Sequence, residues 1–397
     1  MIDISPAEKA GDAIGTDLFQ ILRDGQPRTR SELSKMTGLA RSTVAMRVDS
    51  LVKLGLISPI GDAASTGGRP STQFALNASQ RVVLGVDIGA SHARVALSDL
   101  NGKLLAIDSE DIEVSRGPEE VLGWVVEATR GLLERQSGGR HELLAIGVGL
   151  PGPVQHDTGL PIDPPIMPGW DRYDVPAMLG GAFGVPVLVD NDVNIMALGE
   201  REINWPDVDD LIFVKVATGI GAGVISSGQL QRGAQGIAGD IGHVYVPNGA
   251  DIACRCGNYG CLEAVAAGPA IARQLSEAGL EARTSADVMA LVRSGNTQAV
   301  QAVREAGRVL GEVLTTCISL MNPAVIVLGG PIGQSGEHLL AGAREVVYKR
   351  TMPLASGHLQ ITRSLAGANA ALIGASMLAI HHALSPERVE AMLTLPA

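Results

Sequence analysis

The stretch GDIGHVYVPNGADIACRCGNYGCLE, residues 239–263, contains three of the four cysteines in a chain of 397 residues. Cys254, Cys256 and Cys261 lie within eight positions, and His243 precedes them by a segment long enough to fold back. Three thiolates and one imidazole are the ligands of a closed, tetrahedral zinc site of the structural type, which leaves no position for a reactive water. The stretch therefore predicts a structural Zn²⁺ held by His243, Cys254, Cys256 and Cys261.

Two other interpretations of these cysteines are weaker. Free core thiols would not be expected to cluster in a glycine-rich loop. A disulfide needs an oxidising compartment, whereas the first residues, MIDISPAEKAGD, are acidic and lack the apolar segment of a secretory signal. Apolar runs of 18 residues are also absent from the sequence, so we expect a cytoplasmic protein with no membrane partner.

Length and charge predict several soluble domains, one of which is basic. A chain of 397 residues is too long for one ordinary core, so two or three domains are expected. The net charge of −11 argues against nucleic-acid binding by the whole surface. Residues 20–80, however, contain eight Lys or Arg and only four Asp or Glu. A small basic module on an acidic body is typical of one nucleic-acid-binding domain.

The basic segment has the pattern of a helix-turn-helix. An amphipathic helix is predicted over 14–26, a second begins at a Thr29/Glu32 capping box and ends at Gly38, and a third follows over about 41–54. Polar and basic residues at the start of the third helix favour DNA recognition, the alternative being a helical hairpin with a solvated charged face. The side chains expected to contact phosphates or bases are Arg41, Ser42, Thr43 and Arg47.

A wing is predicted directly after these helices. Strand-like runs over 56–60 and 72–76 are joined by GDAASTGGRPS, whose Gly/Pro tip carries Arg69. Such a segment is often only a loop, but after a helix-turn-helix it favours insertion of Arg69 into a narrow minor groove. We therefore predict a winged helix-turn-helix over residues 1–78, with a double-stranded DNA operator as its partner.

From residue 81 strands and helices alternate, as in α/β domains. VVLGVDIGASHARVALSDLNGKLLA, residues 82–106, is typical of two strands followed by a hairpin at Asn101-Gly102. The later strands and helices predict two α/β lobes that face each other across a cleft. The first lobe is expected over 79–190 together with a C-terminal helix over 380–397, and the second, with the zinc site, over 191–379.

Polar side chains around the predicted metal site indicate what the cleft binds. Asp240 lies three residues before His243, and Glu263 lies two residues after Cys261. A metal that cross-links this loop would bring the three side chains to one wall of the cleft. Carboxylates that accept hydrogen bonds from adjacent hydroxyls, beside a fixed imidazole, suit a sugar. The pattern G-D-I-G-H followed by C-x-C-G-x-x-G-C-L-E resembles the signature of the ROK family, which contains bacterial sugar kinases and sugar-responsive transcription regulators.

The resemblance extends from about residue 81 to the C-terminal region, and it implies an actin-like, hexokinase-type fold. The helix–helix–helix–wing order also resembles the winged module of the ROK regulators. By resemblance to the kinases, Asp192 occupies the position of the base and Asn191 that of a sugar-binding asparagine; a helix N-cap is the alternative role. Asp240 departs from the family, which usually has glutamate there. The expected sugar-binding residues are Asn191, Asp192, Asp240, His243 and Glu263.

Nucleotide binding is the weaker part of the resemblance. Two segments resemble the phosphate loops of the fold, and a glycine pair could admit adenosine; the residues are Asp87, Gly89, Thr218, Gly219, Gly221, Gly329 and Gly330. The first loop reads DIGASH where the kinases have a pattern like D-x-G-G-T-K, so Ala90 replaces a glycine and His92 a lysine. These changes narrow the space for a phosphate and remove its fixed counter-charge.

These observations predict a sugar-responsive transcriptional regulator of carbohydrate genes, in the first instance a repressor. It would bind its operator as a homodimer or homotetramer, because two-fold symmetry suits paired half-sites. The alternative is an ATP-dependent sugar kinase that carries a DNA-binding module. Only in that case would ATP and Mg²⁺ be cofactors and Asp192 the catalytic base.

Overall fold

The computed structural model describes residues 18–62, 71–137, 142–334 and 336–394. In chain order these residues form an N-terminal module and two α/β lobes. The predicted fold class, a winged helix-turn-helix followed by a two-lobed α/β domain, is confirmed.

The N-terminal module, residues 18–76, is a small helical domain with a three-stranded sheet. Its elements are α1 (Leu18–Leu22), α2 (Arg30–Thr37), α3 (Arg41–Lys53), β1 (Arg28–Thr29), β2 (Ile57–Asp62) and β3 (Thr72–Leu76), and the strand order is β1-β3-β2. The capping box is present, since the Glu32 amide donates to the Thr29 hydroxyl and the Thr29 amide donates to the Glu32 carboxylate. Gly38 ends α2 in the left-handed conformation, with φ of 71°. The first part of the predicted helix 14–26 and the wing tip with Arg69 lie outside the described residues.

The first lobe is built on a five-stranded sheet covered by helices. Its elements are β4 (Arg81–Ile88), β5 (Ala93–Asp99), β6 (Leu104–Glu110), α4 (Pro118–Ser137), β7 (Glu142–Leu150), β8 (Val154–Gln155), β9 (Leu160–Pro161), α5 (Val175–Phe183) and β10 (Val187–Asn191). The sheet order is β10-β7-β4-β5-β6, in which β10, β7 and β4 run parallel and β4, β5 and β6 run antiparallel. The parallel strands therefore all end at the edge where Asp87 and Asn191 lie.

The second lobe repeats this plan with a second five-stranded sheet. Its elements are α6 (Asp192–Asn204), β11 (Leu211–Val216), β12 (Ile220–Ser226), β13 (Gln229–Gln231), α7 (Leu262–Ala266), α8 (Gly268–Glu277), α9 (Ser285–Arg293), α10 (Thr297–Met321), β14 (Val325–Gly329), α11 (Gly330–Gly333), α12 (Glu337–Arg350), α13 (Pro353–Ser356) and β15 (Gln360–Arg363). The order is β13-β12-β11-β14-β15. A large aliphatic core lies between this sheet and α7 to α12.

The C-terminal region differs from the single helix predicted over 380–397. It contains two helices, α14 (Ala370–Ala383) and α15 (Pro386–Thr394). Pro386 lacks an amide hydrogen and disfavours a helical conformation for the residue before it, which explains the break. Among the described residues no single helix is long and apolar enough to cross a membrane; the bent pair Gly367–Ala383 and Pro386–Thr394 meets that criterion only when taken together.

Helix α14 packs closely against both the first sheet and α6. A Cβ placed on Gly374 would lie 1.6 Å from the carbonyl oxygen of Ile195, and one on Gly199 would lie 2.1 Å from the carbonyl oxygen of Ala370. On the other side, a Cβ on Gly147 of β7 would lie 2.0 Å from the carbonyl oxygen of Ala375. Because these three positions are glycines, α14 can pack directly against both α6 and the first sheet.

The N-terminal module and the back of the first lobe share one hydrophobic core. Phe19, Val48 and Phe74 from the module are buried in the same cluster as Ile380 of α14 and Val389 of α15. The Gln20 side-chain amide also donates to the carbonyl of Leu384 at 2.7 Å. The module is therefore fixed to the first lobe by apolar packing rather than joined to it only by the backbone.

Candidate functional site

A cavity of about 500 Å³ opens between the two lobes, within the range usual for small-molecule sites. Its first-lobe wall is formed by Ala90, the loop 151–153, Asp163, Pro165 and Ile166. The opposite wall is formed by the start of α6 and by two segments of the second lobe, 218–222 and 236–240. All five predicted sugar-binding residues line it, namely Asn191, Asp192, Asp240, His243 and Glu263.

The predicted metal ligands lie together at the edge of this cavity. One ligand atom from each of His243, Cys254, Cys256 and Cys261 lies within 4.8 Å of the others. The Cys256 and Cys261 sulfurs are 3.7 Å apart, and the Cys254 sulfur lies 3.8 Å from His243 Nδ1. With Zn–S bonds of about 2.3 Å, the edge of a zinc tetrahedron is about 3.8 Å. The residues present therefore fit a metal ion such as Zn²⁺.

Local backbone structure brings the three cysteines together. Isolated bridges pair Tyr245 with Cys261 and Ala253 with Tyr259, so the segment folds back on itself. The Cys254 amide donates to the carbonyl of Asn258 at 2.8 Å, and Gly257 turns the chain with φ of 91°. Burial raises the pKa of Cys261 to about 12, whereas a backbone hydrogen bond from Asn258 lowers the pKa of Cys256 to about 7. A bound cation would supply the charge that the buried Cys261 thiolate requires.

His243 connects the metal cluster to the cavity. Its Nδ1 faces Cys254, while its Nε2 lies 3.9 Å from Asp240 Oδ1. A metal on Nδ1 would leave Nε2 as an N–H donor toward the cavity. The pKa of Asp240 is raised, chiefly by burial. The Glu263 carboxylate raises it further, and the nearby His243 offsets only part of this increase.

Asp192 forms an ion pair that the sequence analysis did not predict. Lys215 Nζ donates to Asp192 Oδ2 at 2.5 Å, and the two side chains are only 22% and 6% exposed. Burial lowers the pKa of Lys215, but the Asp192 and Asp87 carboxylates outweigh it, so the pKa is raised. The available signal was the sequence LIFVKVA, in which one lysine interrupts an apolar strand; an unpaired lysine would be costly there.

Asn191 has the alternative role of a helix N-cap as well as a place in the cavity wall. Its side-chain oxygen accepts from the Val193 amide at 2.9 Å, and its nitrogen donates to the carbonyl of Gly152 at 2.9 Å. Asn194, one turn further, is 2% exposed and donates to Asp190 at 2.8 Å. Its other side-chain atom, Oδ1, is buried without a partner among the described residues, although Asn194 lines the cavity.

Glu263 is held by both the phosphate-loop-like turn and a cation. The Ile220 amide donates to Glu263 Oε2 at 3.2 Å, and Arg255 Nη2 donates to Oε1 at 3.2 Å. A Cβ on Gly219 would lie 2.5 Å from that carboxylate, so a side chain at this position would displace Glu263. Arg255, which lies between two cysteines, was not identified by the sequence analysis.

The residues expected to bind nucleotide lie partly in the cavity wall and partly outside it. Thr218, Gly219 and Gly221 line the cavity, whereas Asp87, Gly89, Gly329 and Gly330 are not part of its wall. The His92 ring lies over Gly89, where a Cβ would be 2.1 Å from it, and His92 Nε2 is 3.4 Å from Asp87 Oδ2. Gly329 packs against the Phe213 ring and Gly330 against the carbonyl of Val216. Packing of the fold is thus a sufficient reason for Gly329 and Gly330.

Four of the five predicted DNA-contacting residues lie in the first half of α3, and the fifth, Arg69, lies outside the described residues. Arg41 and Ser42 are exposed, Thr43 and Arg47 are half-buried, and Val44 and Val48 face the core. Met46, on the same outer surface, is 64% exposed. Arg41, Ser42 and Met46 are therefore accessible to solvent on the outer surface of α3.

Comparisons with known proteins agree on the family. The ROK family model matches residues 83–382. The xylose repressor of Bacillus spizizenii is 30% identical over 370 residues, which cover 92% of this chain and 94% of the repressor. A crystal structure of a ROK family transcriptional regulator, a homologue of the E. coli MLC protein, superposes with a TM-score of 0.81 at 26% identity and covers 95% of this chain and 97% of that one. The ROK hexokinase of Thermus thermophilus superposes with a TM-score of 0.64 at 31% identity and covers 76% of this chain and 98% of the enzyme.

Proposed function

The chain belongs to the ROK family, and from this premise we propose that it is a sugar-responsive transcriptional repressor that binds DNA through its N-terminal module. The observation that carries the proposal is how much of the chain each kind of relative covers. A repressor and a regulator match 92% and 95% of it, whereas a hexokinase matched along almost its whole length covers only 76%. The regulators therefore account for the winged helix-turn-helix as well as for the lobes.

The cleft between the lobes is the proposed effector site. Asp240 and His243 stand on one wall, Glu263 is fixed by Ile220 and Arg255, and Asp192 lies at the start of α6. These groups present carboxylate oxygens and one imidazole nitrogen, which suit the hydroxyls of a sugar. A sugar that contacts both lobes would favour one closure angle of the cleft. It can change the affinity for DNA only by as much as its own affinities for the open and closed states differ.

Zn²⁺ is the proposed metal of the His243/Cys254/Cys256/Cys261 cluster. Four protein ligands would complete its coordination, so the ion would have a structural role and no catalytic one. Its contribution would be to fix the loop that carries Asp240 and His243. We further propose that the operator is bound by a homodimer or homotetramer, with half-sites separated by whole helical turns, ~34 Å or a multiple.

The experiment is an operator shift assay with DNA from near the protein's own gene, with and without sugar. The wild-type protein should retard a fragment at moderate salt. The Arg41→Ala variant should bind all fragments less tightly, with a salt slope smaller by about 1 if Arg41 contacts a phosphate. An exposed arginine on the second lobe, changed in Arg350→Ala, is the matched control. If no fragment is retarded at any salt concentration, the proposal is wrong.

The kinase alternative is disfavoured by the geometry of the same cleft. Asp192 Oδ2 already accepts from the Lys215 ammonium group at 2.5 Å, so this oxygen is engaged and is not free to accept from a sugar hydroxyl. His92 covers Gly89 at the first phosphate-loop-like turn. We expect no ADP when the protein is mixed with Mg-ATP and hexoses; turnover that disappears in Asp192→Asn would establish the kinase instead.

A further inference from the structure

Both cations in the wall of the effector cavity are already paired with carboxylates. Among the described lining residues the fixed cations are Lys215 and Arg255. Lys215 is 2.5 Å from Asp192 and Arg255 is 3.2 Å from Glu263. A phosphate group gains most from a cation that it does not have to share with a carboxylate. The wall offers none in this arrangement.

Two further carboxylates leave the cavity with an excess of negative charge. Asp163 and Asp240 line it, and neither lies within ion-pair distance of a Lys or Arg in the described part of the chain. The proposed zinc cluster adds to this excess, because one Zn²⁺ with three thiolates carries a net charge of −1. An anionic ligand would thus enter a field of its own sign.

Hydrogen-bond acceptors in the wall suit the hydroxyl groups of a sugar. Asp240 lines the cavity, and its carboxylate oxygens can accept from ligand hydroxyls. A sugar and its phosphate both carry such hydroxyls, so the charge of the wall, and not its acceptors, separates the two ligands.

We infer that the effector is an uncharged sugar, recognised through its hydroxyl groups, and that the cavity discriminates against the phosphorylated form of the same sugar. The inference rests on the proposed function and names the ligand class of that site. Lys215 and Arg255 act in it as partners that hold Asp192 and Glu263 in place, rather than as anion receptors.

The test is a thermal-shift and calorimetric comparison of matched sugars with the full-length, zinc-loaded protein. Three pairs serve: glucose and glucose 6-phosphate, xylose and xylose 5-phosphate, and N-acetylglucosamine and its 6-phosphate. A binder of the folded state raises the melting temperature by mass action. At least one free sugar should bind, and its phosphate should bind ~10-fold more weakly or worse at low salt. The difference in affinity between a sugar and its phosphate should become smaller as salt is added, because salt screens the repulsion between the phosphate and the carboxylates.

Variants separate charge from shape. Asp163→Asn removes one negative charge from the cavity wall and should narrow the difference in affinity between a sugar and its phosphate. Asp207→Asn, an exposed carboxylate outside the cavity, removes the same charge elsewhere and should leave the difference unchanged. Asp192→Asn frees the Lys215 ammonium and should improve phosphate binding relative to the free sugar.

The outcomes distinguish this inference from the proposed function. If a sugar phosphate binds as tightly as its free sugar, the inference is wrong and the sugar-responsive regulator remains. The inference is also wrong if the sugar phosphate is excluded but the exclusion changes neither with salt nor in Asp163→Asn. The shape of the cavity, and not its charge, would then be the cause of the exclusion. If no sugar of either set binds, the receptor role and the inference fail together.

Discussion

Lys215 and Asp192 illustrate how single residues decide what the cleft can do. Each side chain alone would be a poorly hydrated charge, because the lysine is 22% and the aspartate 6% exposed. Together they offset part of that desolvation through one short, charge-assisted hydrogen bond. The pair leaves Asp192 Oδ1 for a ligand while its other oxygen is held.

We predict that Lys215→Met lowers the free energy of unfolding by about 3–5 kcal/mol, because it leaves the Asp192 carboxylate buried without a counter-charge. The double variant Asp192→Asn/Lys215→Met removes both charges and should recover most of the loss. Urea denaturation of the two single variants and the double variant gives the coupling energy directly. A double variant as unstable as Lys215→Met would show that packing, not charge, explains the loss.

At the residue scale, the sequence predicted the groups that lie close together along the chain. His243, the cysteines, Asp240 and Glu263 all fall in one segment of 25 residues, so their spacing was readable. Lys215 was missed because its partner is set by tertiary packing: it pairs with a residue 23 positions away. The unpaired oxygen of Asn194 becomes visible only once its nitrogen is seen to donate to Asp190.

At the element scale, the contact between α6 and α14 depends on glycine. We predict that Gly374→Ala destabilises the protein by about 3 kcal/mol or more, since the new Cβ would lie 1.6 Å from the Ile195 carbonyl oxygen and the helices would have to separate. Gly181→Ala in α5 is the matched control: no atom lies within 4 Å of its Cβ position. That change should be neutral or stabilise by up to ~1 kcal/mol. Equal melting temperatures for the two variants would contradict the close contact.

The metal-binding segment is the second element whose removal can be tested. We expect Cys256→Ser to lower bound zinc in the purified protein, measured by plasma mass spectrometry. The sugar-induced rise in melting temperature should disappear with it, because Asp240 and His243 lose their fixed loop. Cys317→Ser, outside the cluster, should retain both zinc and response. DNA binding without sugar should persist in Cys256→Ser, since the N-terminal module lies in a different core; a normal sugar response without zinc would contradict the proposed role.

Local signals predicted the elements better than their ends. The capping box at Thr29 and the glycine at Gly38 fixed α2, because each acts through backbone atoms within four residues. The C-terminal helices were merged in the prediction, although Pro386 marked the break. The close contact between α14 and α6 could not be predicted from the sequence, because a glycine within a helix does not indicate which other helix packs against it.

At the scale of the whole molecule, acid should loosen the junction between the N-terminal module and the first lobe. His381 in the last turn of α14 has its pKa lowered to about 4 by burial, with further contributions from Arg23 and Arg201. The unfolded chain, with an ordinary pKa near 6.5, therefore takes up the proton first as pH falls. The contribution of neutral His381 to the free energy of unfolding is therefore complete above about pH 6.5 and is lost as the pH falls toward 4.

The measurement is the urea midpoint at several pH values between 4 and 7. Because His381 is an exposed residue, solvent screens its charge. We therefore expect the free energy of unfolding to fall by only about 1 kcal/mol between about pH 6.5 and 4, rather than by the full value that the pKa shift would give. His381→Gln should show a flatter dependence on pH than the wild type over this window. Parallel curves for the two proteins would exclude His381 as the source, whatever other groups titrate.

The burial of Val389 against the N-terminal module has a consequence for how such proteins can be recombined. Met392 and Leu393 of α15 pack on the same cluster, so the last described helix completes a core begun near residue 18. A chimaera that exchanges only the first 78 residues with those of a relative would graft a foreign surface onto α15. An exchange of DNA specificity between relatives should therefore succeed more often when the nine-residue helix α15 is exchanged together with the N-terminal module.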